Sequence, residues 1–95
     1  MRTLIIAIAL TLLASCATKP PVQEMAEART ALEAAQAIDK RSDAASRELK
    51  SAEQSLQEAS EAIEKKQYEK ARTLAIRAKL RAQKAARIKQ ISDSQ

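Results

Sequence analysis

The spacing of apolar residues predicts a helix immediately after Pro20-Pro21. Apolar positions from Val22 onward recur at intervals of three and four, which places them on one face of a helix over residues 22–39. These positions are Met25, Ala28, Leu32, Ala35 and Ile38. The following segment, residues 39–43, carries no large apolar residue, and Ser42, Asp43 and Ser46 are all of residue types that cap helix N-termini. We therefore expect a turn there.

Two further apolar seams follow this turn, and they are out of register with each other. The first has heptad spacing and comprises Ala45, Leu49, Ala52, Leu56, Ala59 and Ile63. The second comprises Tyr68, Ala71, Ala75, Ala78, Ala82 and Ala85. They differ by two residues, or about 200° around a helix, so one continuous helix would place them on opposite sides. A turn at residues 65–67 lets them face each other.

The sequence therefore predicts an all-α fold, a small antiparallel helical hairpin or three-helix bundle over residues 22–91, with a frayed tail at 92–95. The turn has no glycine, so Lys66 or Gln67 must take the left-handed backbone conformation. The alternative is one long helix from about residue 44 to 91, whose two halves would need different partners. Only thirteen large apolar residues follow Cys16. Because so few residues make a lone monomer marginally stable, we expect a homo-oligomer, a bound partner or a loosely packed bundle.

The N-terminal segment has the pattern of an export signal. Arg2 supplies a positive charge, residues 4–13 are apolar apart from one threonine, and two small residues follow. An apolar run of about 10 residues is too short for the roughly 20 that span a bilayer, which favours a removed signal over a permanent transmembrane helix.

The segment Leu13-Ala14-Ser15-Cys16 resembles the lipobox of bacterial lipoproteins. The resemblance implies that residues 1–15 are cleaved off as a lipoprotein signal peptide, that Cys16 carries the lipid, and that residues 16–21 form a tether to the membrane. Cys16 is the chain's single cysteine, so an intrachain disulfide is excluded. The alternative is an ordinary cleaved signal that leaves one free cysteine.

The residue after Cys16 bears on the destination of the chain. It is Ala17, whereas an aspartate at this position resembles an inner-membrane retention signal in enteric-type bacteria. We therefore expect a lipid-anchored protein of the cell outer membrane that faces the periplasm.

Charge is divided unevenly along the mature chain. Residues 24–64 carry ten acids and five bases, whereas residues 65–91 carry ten bases against Glu69 alone. Such asymmetry suggests an anionic partner or attraction between the two halves. We name Lys70, Arg77, Arg81 and Lys84 as a candidate face for an anionic partner. The partner is lipopolysaccharide, anionic lipid, peptidoglycan or an acidic envelope protein. The alternative is a solvated face with some bases paired to acids of the first two helices.

Other functions find little support in these residues. The chain has no histidine, so its glutamates and serines lack the usual base or metal co-ligand, and we expect no enzyme activity, no cofactor and no metal site. Nucleic acid is not an expected partner, because the signal sends the chain out of the cytoplasm and Tyr68 is its only aromatic residue.

The chain also resembles small alanine-rich bacterial lipoproteins that share a helical domain of unknown function, DUF4398, sometimes found ahead of a peptidoglycan-binding domain. The resemblance lies in the lipobox, the Pro20-Pro21 tether, residues 24–29, four matching sites in the second helix and the segment from Tyr68 to Ala78. The four sites are Glu48-Leu49, Ala52, Leu56 and Ala59. The resemblance implies a structural or adaptor role in the envelope. The alternative is a coiled-coil spacer between membrane and peptidoglycan, similar to the major alanine-rich lipoproteins. The alanine spacing after Tyr68 is also similar to a tetratricopeptide hairpin, although one such repeat cannot form an array.

Overall fold

The computed structural model describes residues 19–93, and these form three helices. They are α1, Val22–Ala37, α2, Asp43–Glu64, and α3, Tyr68–Asp93. The predicted all-α fold of three helices is confirmed. Cys16 and the three residues before it lie outside the described residues, as do residues 94 and 95 of the predicted tail.

The helix ends follow local sequence signals closely. α1 ends two residues before the predicted position because Ile38 is already extended, with φ −76° and ψ 110°. Ser42 is the N-cap of α2, and its Oγ accepts a hydrogen bond from the Ala45 amide at 3.3 Å. α3 reaches Asp93 and so runs two residues beyond the predicted end.

The turn at residues 65–67 reverses the chain and rules out the single long helix. Lys66 has a φ of +59°, in the left-handed region expected of one residue in this turn. The Lys66 amide donates to the Ile63 carbonyl at 2.9 Å, and the Gln67 amide donates to the Ala62 carbonyl at 2.8 Å. These two bonds make a Schellman motif, which satisfies the last carbonyls of α2 without a glycine.

The three helices form an up-down-up bundle in which α3 is central. α3 packs along α2 and along α1, while α1 and α2 contact each other much less. Glu24 pairs with Arg72 near the start of α1, and the Ala35 carbonyl accepts from Lys89 near its end, so α1 and α3 run in the same direction. α2 runs antiparallel to both.

Alanine dominates the interior, as the two seams predict. Every alanine of the two predicted seams is buried, and Leu74 joins them, whereas the leucines and Ile63 of the first seam are only partly buried. One cluster gathers around Met25, Ala59 and Ala75, and another around Ala35, Ala45 and Ala85. Because a methyl side chain lets helix backbones approach closely, this interior is thin, and it leaves several larger apolar residues outside it.

One charged residue is part of this interior. Lys89 is 7% exposed, and its Nζ donates to the Ala35 carbonyl at 2.9 Å and to the Ile38 carbonyl at 3.1 Å. The ammonium group therefore adds a charged donor at the C-terminal end of α1, where the helix dipole favours a cation.

Within residues 19–93, no helix combines the length and the apolar character that a bilayer crossing requires.

Candidate anion-binding face on α3

The candidate site is the side of α3 that is turned away from both other helices. We call it the outer face of α3, and it is lined by Thr73, Ile76, Arg77, Leu80, Arg81, Lys84 and Arg87. These positions recur at intervals of three and four, as one face of a helix requires. The alanine seam lies on the other side of the helix, so its burial against α1 and α2 leaves this face to solvent.

Three of the four residues predicted as an anionic-partner face belong to this surface. Arg77, Arg81 and Lys84 lie on it and are exposed. Lys70 is also exposed but lines a separate small recess near the α2–α3 turn, together with Glu58 and Glu61. Lys70 therefore lies beside acids and outside the candidate site, whereas the other three residues belong to that site.

Glu48 of α2 reaches the edge of the outer face and pairs with two of its cations. Its carboxylate lies 3.3 Å from Arg81 Nη1 and 3.0 Å from Lys84 Nζ, and its side chain is only 15% exposed. The hydrogen bond from Lys84, joined by the bond from Arg81 and by the charges of both, lowers the pKa of Glu48 despite the opposing effect of burial. The border of the outer face therefore includes one carboxylate of the protein itself, that of Glu48.

The cations on the α1 side of α3 are also paired within the molecule. Arg72 Nε lies 3.4 Å from Glu24, and Lys79 Nζ lies 3.1 Å from Glu27. The bonds from Lys79 and Gln23 lower the pKa of Glu27. The expected attraction between the acidic and basic halves is thus present, and it consists of specific contacts from α3 to both other helices.

Two arginines of the outer face differ from these paired cations. Neither Arg77 nor Arg87 has an ion pair within the part of the chain that the structure describes. Both are exposed, and they stand on either side of Leu80 along the helix. These guanidinium groups are available to an external anion.

The sequence alone did not indicate the apolar part of the site. Ile76 is 44% exposed and Leu80 is 57% exposed, although large apolar residues of this kind were expected to contribute to the core. The sequence did contain a sign of this exposure, because neither residue belongs to the alanine seam of α3. Arg87 was likewise left out of the predicted face, although it lies one helical turn beyond Lys84.

The side chains of this surface are of types that bind anions. Guanidinium groups form paired hydrogen bonds with phosphate or carboxylate, and the two neighbouring apolar side chains add contact area. Among residues 19–93 no group of three or more histidine, cysteine or acidic residues is arranged to hold a metal ion.

A protein-family model described as a domain of unknown function, DUF4398, matches residues 23–95, which include α2, α3 and all of α1 except its first residue. No curated protein matches the chain, and no solved structure matches it.

Proposed function

The chain belongs to the DUF4398 family, and on that premise we propose that it is a lipid-anchored lipoprotein of the outer membrane with a structural or adaptor role. In this proposal Cys16 carries the lipid, residues 17–21 form a tether, and the helical bundle stands in the periplasm. The outer face of α3 is the surface that meets an envelope partner.

One observation supports the partner-binding role above all. From Lys70 to Arg87 α3 contains no acid. Within residues 19–93 the acids of α1 and α2 pair with four cations of this stretch, whereas Arg77 and Arg87 have no ion pair. An exposed strip that combines unpaired arginines with Ile76 and Leu80 is suited to an anionic partner with some apolar surface.

The arrangement favours this role over the coiled-coil spacer. A spacer built from several chains would need the heptad seam of α2 for contacts between chains. Within the described residues, Ala45, Ala52 and Ala59 of that seam are buried in the chain's own bundle. The alanines of this seam are therefore not available for contacts between chains.

The lipid anchor is tested by metabolic labelling with radioactive palmitate. We expect the full chain to incorporate label and to fractionate with outer membranes, because the Cys16 thiol is the acceptor. Cys16→Ser should lose the label, whereas Ala17→Ser should keep it. Equal labelling of the Cys16→Ser variant would refute the anchor.

The partner-binding role is tested by photocrosslinking in cells. A photoreactive residue at position 77, on the outer face of α3, should form adducts with an envelope component. The same residue at position 54, which is exposed on α2, is the matched control and should form none of these adducts. Identical adducts from both positions would mean that the outer face has no special role.

A further inference from the structure

The direction of the helices places the tether at the end of the bundle near which the outer face of α3 begins. α1 and α3 run in the same direction, so the start of α1 lies at the end of the bundle that holds the α2–α3 turn. Ile76 lies eight residues after the start of α3, which is about 12 Å along the helix axis. The apolar and basic strip therefore begins close to the point where the tether enters.

The tether is short compared with the bundle. Five residues separate Cys16 from Val22, and an extended segment of that length spans at most about 18 Å. Pro20 and Pro21 keep part of it extended and limit its conformations. A lipid on Cys16 would thus hold the outer face of α3 within reach of the bilayer that contains the lipid.

The chemistry of the face fits the surface of an anionic bilayer. Within residues 19–93 neither Arg77 nor Arg87 has an ion pair, and guanidinium groups form paired hydrogen bonds with phosphate oxygens. Ile76 and Leu80 lie one turn apart on the same face, with Leu80 between the two arginines along the helix, and both can enter the boundary between headgroups and acyl chains. Helices that lie in the membrane interface combine apolar residues, which enter the headgroup boundary, with basic residues that meet anionic headgroups, and the outer face of α3 supplies both kinds of side chain.

We propose that the outer face of α3 lies on the anionic phospholipid surface of the membrane that carries the chain's own anchor. This inference rests on the proposed function, because it takes the lipid on Cys16 as the first contact and α3 as the second. The bundle then lies with its long side along the bilayer.

The shape of the face favours a bilayer over a folded protein. Tight protein interfaces depend on a few aromatic or arginine side chains seated in deep, dry pockets. The outer face has no aromatic residue, and its depression is shallow and open. A fluid layer of phosphates adapts to such a face without a matching surface.

The test uses tryptophan as a reporter, since the chain has none of its own. The full chain, as Leu80→Trp, is reconstituted into vesicles of phosphatidylcholine with phosphatidylglycerol, and separately into phosphatidylcholine alone. On the vesicles with phosphatidylglycerol we expect a blue-shifted emission that lipids with brominated chains quench. On phosphatidylcholine alone we expect emission typical of water and no quenching.

The matched control is Gln54→Trp, exposed on α2, which should emit as in water on both kinds of vesicle. Leu80→Trp combined with Arg77→Gln and Arg87→Gln should lose the shift, and circular dichroism checks that this variant stays helical. The proposal is overturned if Leu80→Trp and Gln54→Trp give the same emission, or if the shift does not depend on phosphatidylglycerol. A single protein crosslinked from position 77 in cells would also overturn it, in favour of protein docking.

The result of the tryptophan measurement can be distinguished from the result of the palmitate labelling. The reconstituted chain keeps its N-terminal segment, so contact by α3 is measured whether or not Cys16 is acylated. Palmitate labelling without the spectral shift would leave the anchor standing and refute the contact. The spectral shift without labelling would support the contact and refute the anchor.

Discussion

Lys89 is the residue whose position departs most from what its type predicts. Lysines are rarely buried unless they are paired, and this one is buried with two backbone carbonyls as its partners. It joins the C-terminal part of α3 to the end of α1, across 51 and 54 residues of sequence. The ammonium group thus ties the first helix to the third.

We expect Lys89→Met to destabilise the bundle by about 1–3 kcal/mol, because it leaves the Ala35 and Ile38 carbonyls without that donor. Urea unfolding of a chain that begins at Ala17, followed by circular dichroism, measures the change. Lys70→Met, at an exposed position on the same helix, should stay within about 0.5 kcal/mol of the original chain. Equal effects of the two substitutions would argue against this role of the ammonium group.

Lys66 holds a left-handed backbone conformation that glycine adopts more readily. We expect Lys66→Gly to stabilise the chain by about 0.5–1 kcal/mol, because the strain at φ +59° disappears. Lys65→Gly is the control, since Lys65 has a φ of −87° and loses the same charge. It should be neutral or destabilising in the same unfolding experiment. If both glycines acted alike, the backbone strain at Lys66 would be excluded as a cause.

At this scale the sequence predicted backbone features better than side-chain contacts. The N-cap at Ser42 and the left-handed residue at position 66 follow from signals a few residues long, and both predictions named the residue among the candidates. The partners of Lys89 and the exposure of Leu80 depend on where α1 and α2 pack. Periodicity within one helix does not contain that information.

The helices themselves are held together in two ways, by alanine seams and by ion pairs across their edges. The seams fix the side of each helix that is buried, and their phase difference correctly predicted the reversal at residues 65–67. The charge division predicted attraction between the halves, and Glu24, Glu27 and Glu48 provide it. Which acid meets which base follows from the direction and offset of the helices, so composition alone could not assign the pairs.

The ion pairs of Glu48 make the contact between α2 and α3 sensitive to acid. Its pKa in the folded chain is lowered from 4.5, so its stabilising effect is complete above that value and is lost as the pH falls through the lowered pKa. We expect the melting temperature of Glu48→Gln to fall less steeply below pH 4.5 than that of the original chain. At neutral pH this variant should melt at a lower temperature.

Glu64→Gln is the matched control for this experiment. Glu64 is exposed on the same helix and has no ion pair within residues 19–93. We expect it to leave the pH dependence of the melting temperature as it is. If the melting temperatures of the original chain, Glu48→Gln and Glu64→Gln all fell in parallel as the pH is lowered, Glu48 would not link α2 and α3 in a pH-dependent way.

On the scale of the whole molecule, the thin alanine interior is closed by the chain's own three helices. Because the seams of α2 and α3 are used within the bundle, we expect a chain beginning at Ala17 to be a monomer in sedimentation equilibrium. A trimer that forms with rising concentration would instead favour the coiled-coil spacer. The sequence left this choice open, because a core of so few large apolar residues is compatible both with a monomer and with a chain that binds a partner.

The odd number of helices determines where the chain enters and leaves the bundle. α1 begins at one end, and α3, which runs in the same direction for 26 residues, finishes about 39 Å away at the other. A fluorescent protein fused after Asp93 would therefore be set well apart from the attachment point. If α3 lies on the bilayer, the fused protein would be displaced sideways along the membrane and would gain little height above it.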